Sequence, residues 1–208
     1  MVAEMSTLAS GQSRRIGRPS VEEAAALESR ILAAAWDLLL TKGSRELSIE
    51  RIARAAEVSK KTIYTRFQDR SDLLMRLLEE KLEAEENGLC EDVQIEEFAS
   101  AFRSVGERIL AFLTSPEREA IGVVLTELPK ARHDAWTATY AVGLRAIDGL
   151  LDHPSAATAL GHLDATTFRH AFLQCLIGHA ENMIRAPKNE DVSTAEWMTA
   201  LSELFIRN

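Results

Sequence analysis

The nine residues "SKKTIYTRF", 59 to 67, put two lysines, an arginine, three aliphatic hydroxyls and a tyrosine into one short run. Laid on a helix at about 100° per residue, they divide cleanly. Ile63 and Phe67 share a face that would anchor the helix to its neighbours. Lys61 and Thr65 lie almost opposite, Thr62 and Tyr64 flank that outer face, and Arg66 sits nearer the side. Such donors on an exposed helix can bond phosphate oxygens, which sets register. They can also read base edges in a major groove wide enough to admit a helix. The same face could instead be an ordinary solvated surface, and these nine residues alone do not separate the two readings.

Charge along the chain adds a first clue. The 208 residues carry a formal net charge of −8, yet residues 1–78 hold 13 Lys and Arg against 10 Asp and Glu. Residues 79–208 hold 11 against 22, so the two parts stand at +3 and −11. Residues 42–70 hold eight basic against four acidic residues. An acidic body repels a polyanion, so contact with nucleic acid must be confined to the N-terminal part.

The elements that would position the cationic run all read as helix. Residues 1–20 are polar and form a flexible basic arm, in which "RRIGRP" places Arg14, Arg15 and Arg18 where they could lie along a backbone or in a minor groove. Leu27, Ile31, Ala34, Leu38 and Leu39 make the apolar stripe of a first helix over 21–42, and Lys42–Gly43 is a stop signal. Ser48 can cap a second helix and Ser59 a third. Val58 can staple onto Ile63. Asp69 can cap a fourth, with Asp72 completing a capping box, and that helix is expected to run to Asn87–Gly88. A short helix, a turn at "EVS" and a second helix with a polar outer face is a helix-turn-helix pattern.

On these residues the resemblance becomes specific. The stretch "ILAAAWDLLLTKGSRELSIERIARAAEVSKKTIYTRFQDRSDLLMRLLEEKL", residues 31–82, resembles the DNA-binding domain of the tetracycline-repressor (TetR) family without a gap. Two positions depart from the family pattern: Glu57 stands where glycine is usual, and Lys61 where glycine is frequent. The resemblance implies phosphate contacts at Tyr64 and Arg70. With the helical wheel it assigns Lys61 and Thr65 to base edges and Ser48, Lys60, Thr62, Tyr64 and Arg70 to phosphates, Arg66 serving either. The expected partner is double-stranded DNA carrying a palindromic operator.

Beyond 94, helical patterns cover about 95–114, 117–128, 130–151, 164–185 and 194–206, with prolines near the joints. The expected fold is all-α, about nine helices: a DNA-binding domain over 21–68 and a ligand-binding and dimerisation domain over 69–208, with helix 69–86 connecting them. "VVLTELPKARHDAWTATYAVGLRAIDGLL" resembles one C-terminal subgroup of the family, which implies a regulatory core whose last two long helices pair across a two-fold axis. Apolar surfaces on those helices nominate Phe168, Phe172, Cys175, Leu176, Met183, Trp197, Leu201 and Phe205 for a homodimer interface. A dimer would set two reading helices about 34–36 Å apart, one turn of DNA. Phe98, Phe102, Leu113, Leu125, Trp136 and Tyr140, with His133 or His179 as polar handles, are candidates to line a pocket for a small apolar or amphipathic effector. They could equally be packed core.

Other function classes find little support. The five histidines show no metal-ligand spacing, and no nucleophile elbow or phosphate-binding loop occurs, so no catalytic residue, metal or cofactor is expected. Cys90 and Cys175 fit no disulfide framework and read as free thiols of a reducing cytosol. No apolar run approaches the ~18 residues of a membrane span, and "MVAEMSTLASGQSRR" is too polar for a signal peptide. A cytoplasmic protein with no membrane partner is expected. Its most direct reading is a ligand-released repressor. The rivals are a helical protein-interaction module that never meets DNA and, further off, an enzyme.

Overall fold

Ser20 starts the first helix by a reciprocal pair of bonds. Its hydroxyl accepts the Glu23 N–H at 3.1 Å while its own N–H donates to the Glu23 carboxylate at 2.8 Å. The helix, α1 (Val21–Lys42), ends where Gly43 turns at φ +77° and donates its N–H to the Leu39 carbonyl. A 3-10 turn at Ser44–Glu46 leads to α2 (Ile49–Ala55) and α3 (Lys60–Arg66), capped by Ser48 and Ser59 as their sequence positions predict. This computed structural model describes residues 20–89, 97–128, 132–161, 163–185 and 193–207, and for 132–136, 138 and 139 the backbone only. Among these residues helix is the only regular secondary structure, with ten α-helices where about nine were expected.

The fourth helix, α4 (Arg70–Leu89), runs through Asn87 and Gly88 instead of stopping there. Leu89 is 5% exposed, so packing of its side chain holds a last turn that local propensity alone would end. At the other end Asp69 caps the Asp72 N–H at 2.9 Å, but the Asp72 carboxylate takes the N–H of Gln68, not that of Asp69. Then follow α5 (Phe98–Leu113), α6 (Pro116–Glu127), α7 (Arg132–Leu151), a short α8 (Ala156–Ala159), α9 (Ala165–Arg185) and α10 (Thr194–Phe205). The four-residue α8 is the addition; it is too short to show an apolar period.

Helices α1, α2 and α3 form an N-terminal unit around Ile31, Ile52, Ile63 and Phe67, each 2% exposed or less. Helix α4 packs on α1 and, further along, on α5, α6 and α7. Arg76 on α4 reaches Glu28 on α1 at 3.3 Å, and Arg145 on α7 pairs with Glu86 on α4. The second core centres on rings. Phe102 of α5 stacks on Phe172 of α9 with centroids 4.3 Å apart, and Phe168 meets Phe205 edge-on at 5.5 Å. Truncating such a ring to alanine costs about 3–5 kcal/mol, so this cluster is the main brace of the C-terminal half. Gly106 lets α10 come close: a Cβ there would stand 2.3 Å from Met198 Cε.

Candidate nucleic-acid interface and core cavity

The α2–α3 connection fixes how α3 is presented. Val58 N–H bonds the Ala53 carbonyl at 2.9 Å and Glu57 N–H bonds the Arg54 carbonyl at 3.2 Å, the two bonds of a Schellman turn. That turn requires a left-handed residue, and Glu57 occupies it at φ +54°. A side chain there costs about 1–2 kcal/mol relative to a residue in its preferred region. The departure from glycine therefore leaves the turn geometry intact and stores strain in it.

Ser59 then opens α3, its Oγ accepting the Thr62 N–H at 3.0 Å and lying 2.8 Å from the Thr62 hydroxyl. Ile63 and Phe67 are buried, as the wheel requires, and Lys61, Tyr64 and Thr65 face solvent, Tyr64 being 56% exposed. Lys60 Nζ stands 3.3 Å from Glu50, both side chains open to solvent, whereas no described carboxylate pairs with Lys61. Thr65 donates its hydroxyl back to the Lys61 carbonyl at 2.8 Å, so it turns outward a methyl and acceptor lone pairs. Thr62 and Arg66 are half-buried at the flanks, and Ser48 accepts the Arg51 N–H at 3.3 Å as an N-cap. Arg14, Arg15 and Arg18 lie outside the described residues.

Arg70 is the exception in the expected phosphate set. Its Nε donates to the Leu47 carbonyl at 2.8 Å and its Nη1 to the Glu127 carboxylate of α6 at 3.1 Å. The guanidinium is turned into the molecule and straps the N-terminal unit to the body. In this arrangement it is a tie, not a free donor.

The second site is a cavity of about 240 Å³ between α5, α6, α7 and α9. Leu113, Leu125 and Tyr140, all anticipated, line it with Ile109, Leu173 and Ile177, and two charged side chains, Arg118 and Glu181, contribute as well. Three anticipated residues lie elsewhere. Phe102 belongs to the ring cluster, Phe98 packs edge-on against His153 at 5.5 Å, and His179 stacks on Trp197 at 3.9 Å. The side chains of His133 and Trp136 lie outside the described residues. Sequence reasoning passed over Arg118. Its signal was a cation in the first turn of a helix, where the helix dipole disfavours one. Burial pushes its guanidinium below the ordinary arginine range.

The residues expected at a dimer interface fall into two groups. Phe168, Phe172 and Leu176 are fully buried within this one chain, and Leu201 and Phe205 nearly so, because the apolar side of α9 and α10 covers α5. Within this chain they are already covered. Cys175, Met183 and Trp197 are half-buried, and Cys90 lies outside the described residues. The surface of α9 open to a partner is the opposite stripe, Gln174, Gly178 and Asn182, and on α10 Leu204 is 75% exposed.

Residues 31–77 match the family model for bacterial regulatory proteins of the tetR family. The uncharacterized HTH-type transcriptional regulator YdeS of Bacillus subtilis (strain 168) is 42% identical over 64 residues, which span 31% of this chain and 30% of that protein. A TetR family protein from Vibrio parahaemolyticus has the same fold, with a TM-score of 0.62 and 18% identity over 86% of this chain and 98% of its own. NalD, the secondary repressor of the MexAB-OprM multidrug efflux pump in Pseudomonas aeruginosa, superposes at a TM-score of 0.56 with 22% identity, covering 89% and 98% of the two chains. No helix among the described residues is long and apolar enough to cross a membrane.

Proposed function

We propose that this chain, which belongs to the tetR family of bacterial regulatory proteins by its residues 31–77, is a dimeric, sequence-specific repressor that binds a palindromic DNA operator and leaves it when a small molecule enters its core. The observation that carries the reading is α3 itself: a short helix anchored by Ile63 and Phe67 and offering Lys61, Tyr64 and Thr65 to solvent. Lys61 and Thr65 read base edges, and Lys60, Thr62, Tyr64 and Ser48 hold the phosphates, with Arg66 reaching either and the arginines of the N-terminal arm following the backbone. The acidic remainder of the chain keeps the body off the DNA. Such a protein works in the cytoplasm, where its operator is.

Dimerisation is supported by Gly178. It lies inside the 21-residue α9, where glycine costs about 1 kcal/mol relative to alanine, yet a Cβ there would meet nothing within 4 Å in this chain. Close approach of a second copy gives that glycine a purpose. Effector release is supported by the cavity, which stands in the body and not in the DNA-binding unit. A ligand acts by favouring the conformation whose two reading helices no longer match one turn of DNA.

The test is selection of bound sequences from a random DNA pool by the full chain, followed by binding titrations across salt. A repressor of this kind enriches a palindrome with half-sites one helical turn apart and binds it with a steep negative salt slope. Failure to enrich any sequence, with only weak salt-dependent retention, would return the chain to the class of helical interaction modules.

A further inference from the structure

Among the described residues the cavity walls are apolar except at three side chains, and these are unlike in their surroundings. Tyr140 takes the Gln174 amide at 3.3 Å. Glu181 is exposed and stands 3.6 Å from Arg185, its partner one turn on. Arg118 is half-buried, and no carboxylate among the described residues stands within ion-pair distance of it. Two features of α6 hold it in this state. It occupies the first turn, three residues after the N-cap Ser115, where the exposed N–H dipoles add to its own positive charge. Gly122, one turn further on, leaves the guanidinium room: a Cβ there would stand 3.2 Å from Arg118 Nη1. A partly desolvated cation beside a helix N-terminus, on the wall of an otherwise apolar cavity, is suited to meet an anion.

We infer that the cavity takes a small monocarboxylate, its carboxylate held by Arg118 and its apolar body lying against Ile109, Leu125 and Leu173. A planar carboxylate matches the guanidinium fork in two parallel bonds, which a neutral amide or alcohol cannot reproduce. Size narrows the class. A cavity of about 240 Å³ suits an occupant with the bulk of one aromatic ring or a short alkyl chain with its acid group. It is smaller than the pockets that hold drug-sized molecules, about 300–1,000 Å³. The desolvation that lowers the proton affinity of Arg118 agrees with this arrangement, because a bound carboxylate would restore what burial removes.

The inference deepens the effector-released reading and rests on it for its biological meaning, but its test uses no DNA. Phenylacetate, benzoate and hexanoate are titrated calorimetrically into the full chain, beside phenylacetamide, benzamide and hexanamide. At least one acid should bind, with its amide weaker by at least roughly tenfold, and Arg118→Gln should lose the acid by roughly 10- to 100-fold while leaving the amide unchanged. Equal binding of acid and amide to the unaltered chain overturns the inference, even if the variant does not fold. So does unchanged acid affinity in a folded Arg118→Gln, or no binding of any of the three acids at millimolar concentration. If acid binding depends on Arg118 but no specific DNA complex forms, the repressor reading falls and the carboxylate site stands. If a specific DNA complex forms but no acid binds, the carboxylate site falls and the repressor reading stands.

Discussion

Arg70 offers the sharpest test of how the DNA-binding unit is joined to the body. Its guanidinium makes two bonds, one to the Leu47 carbonyl at 2.8 Å and one to Glu127 at 3.1 Å. The ion pair is more than a third exposed on both sides, so solvent reduces it to about 0.5 kcal/mol or less. The bond to Leu47 is worth more, because Leu47 is 2% exposed and its carbonyl has little water to turn to. A charged donor contributes about 1.5–3 kcal/mol, and with Arg70 more than a third exposed the lower end, about 1.5, applies. Arg70→Met should therefore cost about 1.5–2 kcal/mol, and Glu127→Gln about 0.5. For a chain of this length those losses lower Tm by roughly 3–8 °C and 1–2 °C. The assay is thermal unfolding followed by circular dichroism, paired with DNA binding across salt. As a tie and not a phosphate ligand, Arg70 should leave the salt slope of its Met variant unchanged. The reasoning is refuted if Arg70→Met keeps the original Tm while the slope falls by about 0.9, the loss of one phosphate contact. A clear gain in DNA affinity for Glu127→Gln would refute it too, since it would mean that the freed guanidinium goes to the DNA.

Three further outcomes follow from the geometry. Glu57→Gly should raise stability by about 0.5–1 kcal/mol, the relief of left-handed strain less the extra chain entropy of glycine, whereas Glu57→Ala, which keeps the Cβ, should not; thermal unfolding separates them. Lys61→Ala should change which bases are enriched in a selection, by about 1–3 kcal/mol at one position of each half-site, while Lys60→Ala should weaken all sequences alike and lower the salt slope. Gly178→Gln should convert the proposed dimer to a monomer of native helicity, read by light scattering and circular dichroism. A dimer that survives it would place the two-fold axis away from α9.

What was legible in the sequence is what local chemistry decides. Ser48 and Ser59 cap because a hydroxyl at that register satisfies an N–H three residues on, whatever lies around it. Gly43 ends α1 for an equally local reason, and the outward aspect of Lys61 and Thr65 follows once Ile63 and Phe67 are buried. The failures share a different cause. The apolar face of α9 is real, but a wheel cannot say whether it covers the chain's own α5 or a partner, and Phe172 proves to lie on Phe102. Arg70 reads as a cation at a helix start, and its direction depends on Glu127, 57 residues away. Leu89 extends α4 through an Asn-Gly pair because of burial that no window of sequence contains. The cavity was partly legible: Leu113, Leu125 and Tyr140 follow from helical spacing, whereas Ile109, Leu173, Ile177 and the two charged side chains do not.

The placement of these residues also limits how a ligand could move the DNA-binding unit. Helix α6 carries Arg118 near its start and Glu127 at its end, and the nine residue steps from one to the other at ~1.5 Å each make a rod of about 13–14 Å between the cavity guanidinium and the strap. Such a rod would deliver displacement, but free energy is set by what changes at its ends. An ion pair of about 0.5 kcal/mol shifts an equilibrium only about twofold, whereas couplings between ligand and DNA sites run to about 5–150-fold. The strap alone is too weak to be the switch. The larger reservoir is the buried leucine face of α4, with Leu73, Leu74, Leu77 and Leu78 each 3% exposed or less, packed between α1 on one side and α6 and α7 on the other. Repacking even one such side chain involves about 1.5–3 kcal/mol, enough for most of that range. Glu127→Gln should accordingly leave ligand release of DNA nearly intact. In the effector-released reading proposed above, the strap orients the unit and the leucines of α4 supply the leverage.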